Sequence, residues 1–162
     1  MDDDLVFASY HQVHLAPLGS SPVFAGGDPS ALIVTDVSGS LIITTGIADG
    51  PVVMTFQEGA GPLGSLPTAP PAGWEMLAEV SVDIAEPLLV SSPTWAPVRE
   101  PVIDPARPGL HRVRVLARGR GAEYDASVTE ASEEFSVAYW REERPTPPLV
   151  LGADRLTIRN GS

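Results

Sequence analysis

The sequence predicts an all-β fold, an antiparallel β-sandwich or partly closed barrel of about eight to ten short strands. Apolar residues alternate with polar ones or form short runs rich in Val, Ile and Leu, and no stretch keeps helical spacing over several turns. Pro and Gly cluster in long loops between these runs, at residues 58–73 and 92–109. A chain of 162 residues can bury one core, so residues 1–162 are predicted to form a single β domain.

The first part of the chain contains four candidate strands. Residues 5–15 alternate between two faces and predict one continuous strand. Residues 31–35 and 41–47 flank a turn composition and predict a hairpin. The dipeptide Asp49-Gly50 favours a tight turn into a strand at 51–57, which predicts a three-stranded meander.

The second part of the chain supplies the remaining strands. Residues 74–84 alternate cleanly, and residues 87–91 form a short apolar run. Residues 110–118 place His111, Val113, Val115 and Ala117 on one face, which we expect to point inward. Residues 135–140 and 149–158 predict the last strands, the second of them broken at its Gly-Ala-Asp sequence.

Composition excludes several classes of function. The chain has no Cys, so it can form neither a disulfide nor a thiolate metal site, and it has no thiol nucleophile. Its first residues are acidic, and no apolar run approaches the ~18 residues that span a bilayer, so we expect a cytoplasmic protein without a membrane partner. The net charge is −11, which disfavours nucleic acid and attracts basic partners.

The candidate catalytic and ligand-binding residues do not form recognisable motifs. His11 and His14 are three residues apart on a predicted strand and point to opposite faces, so they are not expected to share a metal ion. His111 is expected to be a packed core residue. There is no Gly-x-Ser-x-Gly elbow, and residues 59–64 match a dinucleotide-binding loop by spacing only. We therefore predict no catalytic residue, no cofactor and no metal site.

Five arginines lie between Arg107 and Arg120 without an acid among them. Glu75, Glu79 and Asp83 lie on the outer face of the strand predicted at 74–84. If the two strands are neighbours, cross-strand ion pairs would satisfy the arginines, which is the interpretation that we favour. A nucleic-acid groove is the alternative, and the negative field around it counts against this reading.

Acidic residues cluster in residues 123–134, a segment that has no basic residue. Such a run is usually a solvated loop, but a loop on a rigid β scaffold can also present acids to a basic partner, with a tyrosine as anchor. The predicted partner-binding residues are Glu123, Tyr124, Asp125, Glu130, Glu133 and Glu134.

Three stretches resemble the competence protein J family. They are residues 9–15, residues 109–120, and the sequence from Glu133-Glu134-Phe135 to Tyr139-Trp140. That family includes an inhibitor of a DNA-entry nuclease and many bacterial members without a known function. The resemblance implies a cytoplasmic binding protein, such as a nuclease inhibitor or an immunity protein, and speaks to the fold more than to the activity.

The sequence thus favours a non-enzymatic, acidic protein-binding module that blocks a basic partner, such as a nuclease or toxin, by occlusion. One alternative is a β-barrel that carries a small ligand. Another is a hydrolase with a dispersed triad, which requires a Ser or an acid within hydrogen-bond reach of His11, His14 or His111. The oligomeric state and the partner's identity stay open.

Overall fold

A computed structural model describes residues 4–20, 22, 31–36, 39–59, 61, 67–97 and 100–154. This part of the chain contains no helix and forms ten strands. In chain order they are β1 (Leu5–Ala8), β2 (Gln12–Ala16), β3 (Ile33–Thr35), β4 (Leu41–Thr44), β5 (Gly50–Glu58), β6 (Met76–Ile84), β7 (Leu89–Ser91), β8 (Gly109–Arg118), β9 (Glu134–Arg141) and β10 (Leu149–Gly152). The predicted all-β class is confirmed. Within the described ranges, no helix is long and apolar enough to cross a membrane.

The strands form two sheets and no closed barrel. One sheet has six strands in the order β1-β5-β9-β8-β6-β10, and the other has four in the order β3-β4-β2-β7. The prediction of an antiparallel arrangement is wrong at one position, because β5 and β9 run parallel. A parallel pair needs a long crossover, and here three other strands of the chain lie between β5 and β9.

Residues of both sheets contribute to one hydrophobic core. Val13, Leu15 and Ile43 contribute from the four-stranded sheet, and Val113 and Phe135 from the six-stranded sheet. Each is fully buried. Burying one such side chain stabilises the fold by about 1.5–3 kcal/mol, so this shared core holds the two sheets together.

Residues 5–15 form two strands instead of the single strand that the sequence predicts. β1 belongs to the six-stranded sheet and β2 to the four-stranded sheet. The chain reverses at Tyr10 and His11, whose φ angles are 51° and 62°. No Gly, Pro, Asn or Asp marks this turn, so the alternation of apolar residues conceals it.

The predicted hairpin is confirmed, but the predicted meander is not. β3 and β4 pair with Thr35 opposite Leu41. β5 leaves this sheet and pairs with β1 and β9 in the other. Gly50 has a φ of 136°, and a Cβ there would lie 2.4 Å from the Val128 carbonyl oxygen. The Asp49-Gly50 dipeptide therefore serves a crossing between sheets with close backbone contact, not a hairpin turn.

The long strands of the second part are confirmed, and so is the inward face of β8. β6 and β8 pair over their length, and His111, Val113, Val115 and Ala117 are buried. β9 and β10 occupy the positions expected for the last two strands, although residues 155–158 of the final prediction lie outside the described residues. Most of the 59–64 loop also lies outside them.

The other face of β6 and β8 is buried as well, and it carries charge. Glu79 accepts hydrogen bonds from Arg112 Nε at 3.0 Å and from Arg114 Nε at 2.7 Å. Arg112 also donates to the carbonyl oxygens of Thr146 and Pro147, both at 2.9 Å. The arginines of β8 therefore pair internally, and Arg112 fixes the segment that leads into β10.

We predict that Glu79→Gln lowers the free energy of unfolding by about 3–5 kcal/mol, because it removes the carboxylate that both buried guanidinium groups contact and leaves Arg112 the more distant Glu142, at 3.9 Å. Asp83→Asn removes a carboxylate from an exposed position on the same strand and should change stability by less than about 0.5 kcal/mol. Urea unfolding of both variants and the parent measures the difference. Equal stabilities for the two variants would contradict the prediction.

Candidate functional site

One end of the molecule brings together the turn at residues 9–12, the crossing at 45–50 and the loop at 119–130. Backbone hydrogen bonds join the three segments: His11 N to Ala48 O at 3.1 Å, Thr45 N to His11 O at 2.9 Å, Ala48 N to Ala126 O at 2.8 Å, Asp125 N to Gly46 O at 2.8 Å, and Val128 N to Asp49 O at 2.9 Å. These bonds fix the segments relative to each other. The end is therefore a rigid surface although it is built from turns and loops.

This end also contains the unusual backbone conformations. Tyr10, His11 and Asp125 are the non-glycine residues with positive φ among those that the structure describes. All three belong to the same set of contacts, because the His11 Nε2 atom lies 2.9 Å from Asp125 Oδ1. A left-handed conformation costs a side-chain-bearing residue on the order of 1–2 kcal/mol. Strained residues of this kind concentrate at functional sites, so the end is our candidate site.

His11 connects the turn to the loop through both of its ring nitrogens. Nδ1 contacts the Thr45 carbonyl oxygen at 3.2 Å, and Nε2 contacts the Asp125 carboxylate at 2.9 Å. The ring also packs against Tyr124, with centroids 6.0 Å apart. Asp125 meets the acid condition of the dispersed-triad alternative. However, the Thr45 carbonyl oxygen contacts Nδ1, the ring nitrogen that would have to contact a serine hydroxyl if His11 belonged to a triad.

His14 and His111 lie elsewhere and have different surroundings. His14 Nε2 contacts Gln12 Oε1 at 2.7 Å, and burial lowers the pKa of His14 despite the nearby charge of Asp36. His111 is buried, with Nδ1 2.7 Å from its own strand's Gly109 carbonyl oxygen. Among the described residues, no group of three His, Asp or Glu side chains is arranged to hold a metal ion.

The predicted partner-binding residues divide into two groups. Glu123, Tyr124, Asp125 and Glu130 are exposed. Glu134 is half-buried and pairs with Arg118, whose guanidinium also stacks on Trp74 at 4.7 Å. Glu133 is only 1% exposed, so its assignment to a partner-binding surface is corrected.

The buried side chain of Glu133 binds the backbone of the 45–50 crossing. Its carboxylate accepts hydrogen bonds from the amide of Ile47 at 2.6 Å and that of Gly46 at 3.2 Å. Burial raises the pKa of Glu133 to about 7, although these two bonds and the charge of Arg120 act in the opposite direction. Arg120 is itself fully buried and pairs with Asp154, with Nε 2.7 Å from Oδ2. These groups hold the 45–50 crossing against the loop.

Two exposed residues of the site were missed by the sequence analysis. Tyr10 is 68% exposed at the strained turn, and its amide donates to Asp49 Oδ1 at 3.4 Å. The sequence predicts a continuous strand around Tyr10 and a hairpin turn at Asp49, so no local pattern indicated that either residue belongs to a binding surface. We define the acidic end surface as Tyr10, Asp49, Glu123, Tyr124, Asp125 and Glu130. No Arg or Lys precedes Arg99 or lies between residues 121 and 140, and Arg120, which belongs to the 119–130 loop, is fully buried and pairs with Asp154.

Comparison with known proteins identifies no relative. No protein-family model, curated protein or solved structure matches the chain.

We predict that the free energy of unfolding falls between pH 4.5 and about 7 because of Glu133. The unfolded state releases this proton near pH 4.5, whereas the folded state retains it until about pH 7, so the stabilisation present at low pH is lost as pH rises. The loss attributable to Glu133 is about 3 kcal/mol, at ~1.4 kcal/mol per pKa unit. Urea unfolding at a series of pH values measures it. Glu133→Gln should remove this slope, and parallel curves for parent and variant would contradict the assignment.

We predict that Tyr10→Gly is more stable than Tyr10→Ala by about 1 kcal/mol, because glycine relieves the left-handed strain that alanine keeps. Both variants lose the same tyrosine ring. Tyr124, whose φ is not positive, provides the control, since Tyr124→Gly should be less stable than Tyr124→Ala. Thermal unfolding of the four variants measures both differences. If Tyr10→Gly were less stable than Tyr10→Ala, as is expected at position 124, the turn at Tyr10 would not be strained.

Proposed function

We propose that this protein is a β-sandwich binding module that engages a basic partner protein through the acidic end surface. It acts as a non-enzymatic inhibitor or immunity-type protein and blocks its partner by occlusion. The observation that carries the proposal is the strained turn at Tyr10 and His11, which is hydrogen-bonded to the segments that carry Tyr124 and four exposed acids.

The composition of the acidic end surface suits recognition of a basic protein. Tyrosines supply large contact area at a small cost in conformational entropy and are frequent at interface hot spots. Asp49, Glu123 and Glu130 are exposed, and none of them has an ion-pair partner within the described residues. Their charge steers a positive partner toward this end and makes association depend on salt.

The proposed mechanism, occlusion of the partner's binding groove, depends on acids that are held in fixed positions. The backbone bonds between the three segments keep the acids in fixed positions, so little ordering is needed when the partner binds. Carboxylates held in this way can occupy a groove that normally binds phosphates and exclude the partner's substrate. The resemblance to the competence protein J family, which includes an inhibitor of a DNA-entry nuclease, is compatible with a nuclease as the partner.

The proposal is tested with a triple variant of the acidic end surface, Glu123→Gln, Asp125→Asn and Glu130→Gln. The matched control is Asp83→Asn, Glu86→Gln and Glu143→Gln, which removes three exposed charges from other segments. Each tagged protein is used to capture partners from a lysate of the source organism. We expect the parent and the control to retain a basic protein whose activity the parent inhibits, and the site variant to bind it at least about tenfold more weakly.

Tyr124→Ala should weaken binding of the same partner without changing net charge. High salt should weaken binding by the parent more than binding by the site variant. The proposal fails if the two triple variants bind equally, because net charge and not the site would then decide binding. It also fails if the captured protein is acidic or is not inhibited.

A further inference from the structure

A second site lies beside the four-stranded sheet. It is an open groove of about 730 Å³. Gln12 and His14 of β2, Ser91 of β7, Ser20, and the segment from Ser92 to Pro97 with Trp95 contribute to its walls. Among the residues that the structure describes, no Arg, Lys, Asp or Glu lines it, although the chain as a whole carries a charge of −11. Its volume falls within the range of ligand clefts, roughly 300–1,000 Å³.

His14 provides an unused hydrogen-bond acceptor at this groove. It is 7% exposed and lines the groove. Gln12 Oε1 can only accept, so Nε2 of His14 carries the proton that bridges the 2.7 Å between them. Burial lowers the pKa of His14 and so favours the neutral ring. Nδ1 is then a bare acceptor, and no described residue donates a hydrogen bond to it.

Trp95 provides a preformed aromatic surface. Ser92 and Trp95 exchange two backbone hydrogen bonds, at 3.1 and 3.2 Å, which close a tight turn. Ser9 ties this turn to the end of β1, because its hydroxyl accepts from the Thr94 amide at 3.0 Å. The Trp95 ring packs against Phe7, with centroids 5.8 Å apart. The ring is therefore held in position without a ligand.

We propose that this groove binds a neutral carbohydrate. Ligand hydroxyl groups would donate to Nδ1 of His14 and exchange hydrogen bonds with Gln12 and Ser91, while a sugar C–H face packs on Trp95. The described part of the lining is uncharged and offers no counter-charge to an anionic or cationic ligand. A Pro-rich peptide docks on grooves lined by several large aromatic side chains, whereas the described lining of this groove combines Trp95 with several hydroxyl groups and the Gln12 amide. The inference does not depend on the acidic end surface.

The test uses the full chain and an array of neutral gluco-, galacto-, manno- and chito-oligosaccharides, with sialylated and sulfated glycans as charged comparisons. Hits are quantified by isothermal titration calorimetry. We expect at least one neutral oligosaccharide to bind with a dissociation constant below about 1 mM. We also expect that ligand to shift the tryptophan fluorescence of the parent and not that of Trp95→Phe.

Two variants and one control assign the binding to the groove. Ser91→Arg fills the groove and Gln12→Leu removes the group that orients His14, so each should weaken binding at least about tenfold. Thr68→Arg adds the same charge at an exposed position that does not line the groove and should bind like the parent. Circular dichroism and thermal unfolding verify that each variant is folded. Absence of any neutral glycan ligand, preference for charged glycans, or equal affinities for Ser91→Arg and Thr68→Arg would overturn the proposal.

Discussion

The pairing of buried charge around β8 is the constraint on which much of this structure depends. β8 lies between β9 and β6 in the six-stranded sheet, and Val113 and Val115 enter the common core. Strand geometry then places Arg112 and Arg114 on the opposite face, where both are buried. A buried guanidinium needs a counter-charge. Glu79 supplies it, because the strand register places this residue directly opposite Arg114.

This internal pairing also determines the charge of the surface. Arg112 and Arg114 are occupied by Glu79, Arg120 by Asp154, and Arg118 by Glu134. The cations of this region are therefore turned inward or neutralised locally, while the acids of the 119–130 loop stay exposed. These arginines therefore do not neutralise the exposed acids of the acidic end surface.

The turn from Ser9 to Gln12 links the two surfaces that we propose to bind ligands. Its strained residue Tyr10 projects at the acidic end surface, and the strand that follows supplies Gln12 and His14 to the neutral groove. Ser9 bonds the turn that carries Trp95. The turn at residues 9–12 therefore positions residues of both the charged acidic end surface and the groove whose described lining is uncharged.

Sequence alone determined the all-β class, the β3–β4 hairpin and the inward face of β8, and it favoured cross-strand pairing of the β8 arginines, of which Arg112 and Arg114 pair with Glu79 of β6 but Arg118 with Glu134 of β9. These features follow from side-chain alternation, which is a local property of the chain. Only the tertiary structure decided the reversal at Tyr10, the parallel β5–β9 pair, the burial of Glu133 and the contact between His11 and Asp125. The last two residues are 114 positions apart, and hydrogen bonds from distant segments, not local composition, hold the turn and the loop in their strained conformations.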